Sequence, residues 1–76
     1  MSRLVRFLLQ QLGLYHLTTH EDRVEIDREI ELRTGVSCDE AIEKGLVSRD
    51  EFTAIVFDVL RRRKLRRQTE VMAAYT

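Results

Sequence analysis

The chain has 76 residues, 13 Lys and Arg against 13 Asp and Glu, 43% apolar residues, one Cys, and neither Trp nor Pro. A chain this short buries only about 60% of the surface its unfolded form exposes, which excludes a second domain and a large walled-off substrate cavity, and so argues for a binding role over an enzyme. Cys38 alone cannot form an internal disulfide, and a lone thiol fits a reducing, cytoplasmic setting. Self-association as a homodimer is the remaining way to reinforce a thin core.

Residues 1 to 14 carry Arg3 and Arg6, no acid and a leucine-rich run. Gln10 and Gln11 interrupt the run and no small-residue cleavage site follows, so this stretch reads as a first core helix and not as a secretory signal. It is also too short for a transmembrane span. An Arg-bearing amphipathic presequence is the minor competing reading.

In chain order, the pattern predicts an all-α bundle of four helices. Over 2–12, Leu4, Val5, Phe7, Leu8 and Leu12 fall on one side, and Gly13 follows as a C-cap. Capping-box spacings stand at Thr18 with Glu21, Ser37 with Glu40 and Ser48 with Glu51. With Gly35 and Gly45 as stops, they delimit helices at 19–34, at 38–44, and from 49 to about 70. Within the second helix, Val24, Ile26, Ile30 and Leu32 alternate with acids, and a strand over 22–33 is the competing reading. The density of Glu, Arg, Leu and Ile and the lack of a turn dipeptide favour the helix.

Charge is balanced overall but not locally. Residues 21 to 43 hold nine acids against Arg23, Arg28 and Arg33, whereas residues 61 to 76 hold six bases against Glu70. Along the last helix Phe52, Ile55, Val56, Val59 and Leu60 form an apolar stripe, and the same stripe continues into Arg63, Arg66 and Arg67. Burying unpaired guanidinium groups costs several kcal/mol each, so this face must leave the globule or meet acids such as Glu25, Asp27, Glu29 and Glu31.

With Arg61, Arg62 and Lys64, six of the seven residues from 61 to 67 are basic, and they define a helical extension over 61–70. Guanidinium groups suit bidentate phosphate or carboxylate contacts, and Arg61, Arg62, Arg63, Lys64, Arg66 and Arg67 are therefore the candidate nucleic-acid-binding residues. The bland alternative is a solvated helix end whose cations complement the helix dipole.

A helix-turn-helix over 37–54 has Ala41 and the turn glycine Gly45 in its favour. Lys44 and Glu51 stand at positions that should be apolar, and Asp50 and Glu51 in the second helix's first turn repel phosphate. Aromatics for base stacking are scarce, since Phe52 and Phe57 read as core and only Tyr75 lies near the basic run. Phe57 nonetheless sits about 140° from Phe52, and with Leu9, Leu14, Tyr15 and Leu17 it leaves apolar surface for a subunit or partner.

His16 and His20 are spaced i, i+4 but straddle a helix boundary, so no metal is expected. Asp39 and Glu40 oppose activation of Cys38, and no phosphate loop or catalytic set stands in the sequence; no cofactor is expected either. The resulting expectation is a single-domain, non-enzymatic, dimeric regulatory or accessory protein that binds nucleic acid through its Arg-rich helix. The rival is an adaptor or inhibitor docking on a larger protein through the acidic segment or the leftover apolar faces. A peripheral membrane role is the lesser reading.

Overall fold

The structure, a computed structural model, describes the backbone of residues 3–74 and the side chains of residues 3–64. Those residues form four α-helices, α1 (Arg3–Gln11), α2 (His20–Thr34), α3 (Cys38–Glu43) and α4 (Arg49–Ala74), with one 3-10 turn at Tyr15–Leu17 and no strand. The expected all-α bundle is therefore the observed one, and α4 runs a full turn further than the sequence pattern implied.

The segment 22–33 is helix, not strand. Its inward row is Asp22, Ile26 and Ile30, spaced by four and buried. Val24 and Leu32, the other members of the apparent alternation, are 40% and 75% exposed. Half of the period-two pattern is thus surface, and the helical spacing is what the core uses.

The cap of α2 lies one residue later than the spacing predicted. Thr19 accepts the Asp22 amide while the Asp22 carboxylate accepts the Thr19 amide, a reciprocal capping box. Thr18 instead closes the 3-10 turn, its hydroxyl donating to the Tyr15 carbonyl at 2.8 Å. Arg23 Nη1 donates to the Thr18 carbonyl at 2.9 Å, and the Arg6 and Arg23 guanidinium groups lie 5.6 and 4.6 Å from the Tyr15 ring centre. These contacts pin the turn between α1 and α2.

Ser37 and Ser48 accept the Glu40 and Glu51 amides, the serine half of the capping boxes their spacing predicted. Gly35 ends α2 at φ 75°, donating its amide to Glu31. That left-handed conformation is the one glycine adopts without steric cost. Asp39 of α3 accepts the Leu4 amide at 3.1 Å and so places a carboxylate at the amino end of α1. Arg49 Nη2 donates to Gln11 at 3.0 Å and ties the start of α4 to the end of α1.

The core gathers Val5 and Leu9 from α1, Ile26 and Ile30 from α2, Cys38 and Ala41 from α3, and Phe52, Ile55, Val56 and Val59 from α4, with Val47 below them. Among the described residues Phe52 is the largest fully buried side chain. The α3 helix bridges α1 and α2, and α2 lies along α4. The fold measures 48 × 25 × 20 Å, and the 26 residues of α4, about 39 Å of helix, set the long axis.

Candidate nucleic-acid interface

The basic run begins where the buried stripe of α4 ends. Phe52, Ile55, Val56 and Val59 pack inward, and the next turn on that side brings Arg62 and Arg63. Both meet carboxylates of α2. Arg63 Nη1 donates to Asp22 Oδ2, with the Asp22 side chain only 6% exposed and that of Arg63 40% exposed. The same Asp22 oxygen accepts the Thr19 amide at 2.9 Å. Arg62 Nη1 lies 3.3 Å from Glu29 Oε1, while Glu29 Oε2 takes Arg33 Nε at 3.4 Å.

Of the acids proposed from sequence as partners, Glu29 takes Arg62; Asp22, which takes Arg63, was not among them. The signal for Asp22 is its place on the row of Ile26 and Ile30, which commits its carboxylate to the helix interface.

The outward side of the run is different. Arg61 pairs with Asp58 at 3.1 Å, but its side chain is 73% exposed. Lys64 is exposed. The side chains of Arg66 and Arg67 lie outside the described residues, as does Tyr75; the two arginines belong to the helical backbone of α4. Beyond Arg63, α4 continues to Ala74, about 16 Å of helix.

This arrangement divides the cations by how easily each can change partner. An exposed pair such as Arg61 with Asp58 contributes about 0–1 kcal/mol and exchanges readily for a phosphate oxygen. Freeing Arg63 leaves the nearly buried Asp22 charge uncompensated, which is far more costly. Arg62 is intermediate, with its Nε and Nη2 atoms buried and lacking a hydrogen-bond partner.

Phe57 corrects the expectation that it belongs to the core, since it is 51% exposed. It occupies the outward side of α4, one turn before Arg61, and its angular offset from Phe52 was the sequence signal for this placement. Phe7, Leu17 and Leu46 are further exposed apolar side chains.

An open groove of about 270 Å³ runs between α2 and α4, lined among others by His20, Glu21, Glu25 and Arg28 over the Asp22 and Arg63 pair. Its acids make it a poor channel for a polyanion. His16 lies in the 3-10 turn and His20 opens α2. Among the described residues no three His, Cys, Asp or Glu side chains come together to hold a metal ion, and Cys38 is buried. Lys44 and Glu51, the residues that disfavoured a helix-turn-helix, are both exposed. Lys44 donates to Glu40 at 2.6 Å, and that bond, with the Glu40 charge, raises its pKa above the ordinary lysine value. Among the described residues no helix is long and apolar enough to cross a membrane. No protein-family model matches the chain, and no curated protein or solved structure shows significant similarity to it.

Proposed function

We propose that this chain is a small non-enzymatic accessory protein of the cytoplasm that binds nucleic acid along the basic half of α4. Phosphate contact falls to Arg61, Lys64, Arg66 and Arg67, and Arg62 and Arg63 act chiefly by holding that helix on α2. The observation that supports this reading is the continuation of α4 to Ala74, 15 residues past Val59, the last buried residue among the described side chains, with the outward cations Arg61 and Lys64 exposed. Contacts of this kind neutralise phosphates with little base readout, so affinity is micromolar and strongly salt-dependent.

Fluorescence anisotropy with labelled duplex DNA and single-stranded RNA tests the reading. If about four phosphates are engaged, affinity drops roughly a hundredfold between about 50 and 200 mM salt. Combined Arg61→Ala and Lys64→Ala substitutions lower both the affinity and the salt slope. Absence of binding at the lower salt concentration rejects the proposal.

A second reading, docking on a larger protein or on a second copy, is supported by a separate observation. Leu32 is 75% exposed on α2, where Val24 is 40% exposed as well, and Phe7 is 56% exposed on α1. Such surface is what a homodimer or a partner complex would cover.

A further inference from the structure

The outward side of α4 carries more than cations. Phe57 is 51% exposed, and Arg61 and Lys64 follow it at i+4 and i+7, which places all three within about 60° of one another on the helix. Around the ring at helical spacing stand Thr53, Ala54, Leu60 and Arg61. Thr53 and Ala54 are small, and Leu60 leans into the core, so one flank of the phenyl ring lies open.

An exposed aromatic followed by cations over two turns of helix matches the needs of an unpaired strand. The ring stacks against a base, and the cations take the neighbouring phosphates. A duplex offers phosphates but keeps its base faces inside the stack, so the ring would gain nothing from it. Asp58, the acid beside the ring, pairs with Arg61 at 3.1 Å and is 43% exposed, so a strand that takes Arg61 returns this carboxylate to water, which screens it. The comparable site on α1 is weaker, because Arg6 beside Phe7 is drawn onto the Tyr15 ring.

From this juxtaposition we infer that Phe57 is a base-stacking platform, and that the nucleic acid bound along α4 is single-stranded. The inference rests on the phosphate-contact reading above and narrows its ligand class.

The test uses fluorescein-labelled oligo(U) of about 16 nucleotides and a mixed-sequence duplex of similar length, with wild type, Phe57→Leu, Phe57→Trp and Phe7→Leu. Leucine keeps an apolar, helix-compatible residue at an exposed position, so the fold is retained. Expected is a loss of at least about fivefold in oligo(U) affinity for Phe57→Leu, with Phe57→Trp and Phe7→Leu at wild-type strength or better and duplex affinity unchanged by any of them.

Salt-sensitive oligo(U) binding that Phe57→Leu leaves intact overturns the stacking role while the phosphate contact stands. Duplex binding as tight as oligo(U) binding overturns the strand preference. Failure of the wild type to bind either probe removes both proposals. A dimeric wild type that Phe57→Leu converts to a monomer in sedimentation, with binding unchanged, assigns the face to a second copy instead.

Discussion

The Asp22 carboxylate accepts the Thr19 amide and the Arg63 guanidinium at one oxygen, in an almost fully buried position. Removing it costs α2 the carboxylate half of its capping box and leaves Arg63 without its carboxylate. Asp22→Ala should therefore destabilise by about 1–3 kcal/mol, read from the urea midpoint at constant slope. Asp22→Asn keeps a capping acceptor and discards the charge, so the difference between the two variants separates cap from ion pair. A double-mutant cycle of Asp22→Asn with Arg63→Gln should give a coupling of about 1 kcal/mol or more, against less than about 0.5 kcal/mol for Asp58→Asn with Arg61→Gln. Equal couplings would contradict the division between inward and outward cations. The Lys44 and Glu40 pair has a definite pH signature. With the folded lysine pKa raised, its contribution is complete below the unfolded lysine pKa and is lost as pH rises through the folded value, so Lys44→Met should flatten the alkaline limb of the stability profile.

At the level of elements, the helix ends carry the most readable chemistry. Gly35 sits at φ 75°, and a Cβ there would meet nothing within 4 Å. The cost of Gly35→Ala is thus purely conformational, about 1 kcal/mol, and Gly35→Asn should recover part of it in the same denaturation assay. Four helices were legible because glycines and Ser/Thr caps punctuate them. The exact cap of α2 was not, because Thr18 and Thr19 are adjacent and each has an acid three residues on. Only the 3-10 turn at Tyr15–Leu17, which takes Thr18 as its closing residue, decides between them. For α2 the alternation of Val24, Ile26, Ile30 and Leu32 kept a strand in competition with the helix that composition favoured and the structure has, because periodicity cannot tell which apolar residues have a neighbour to pack against. The burial of α2 between α3 and α4 supplies that information.

For the molecule as a whole, an acidic middle and a basic end were plain from the sequence, but how far they neutralise each other was not. That depended on the approach of α2 to α4, which brings Asp22 and Glu29 to Arg63 and Arg62 and leaves Arg61 and Lys64 facing outward. The consequence is a molecule of zero formal charge with a cationic, aromatic-bearing strip on one helix. On the proposed function this strip, and neither the acidic α2 nor the apolar face of α1, receives a polyanion. The most direct measurement is an amide chemical-shift titration of the isotope-labelled protein with oligo(U) at low salt. Perturbations are expected to concentrate between residues 57 and 67 and to be small along α1 and α2. Shifts concentrated on the outer faces of α1 or α2, or none anywhere, would contradict the proposed function.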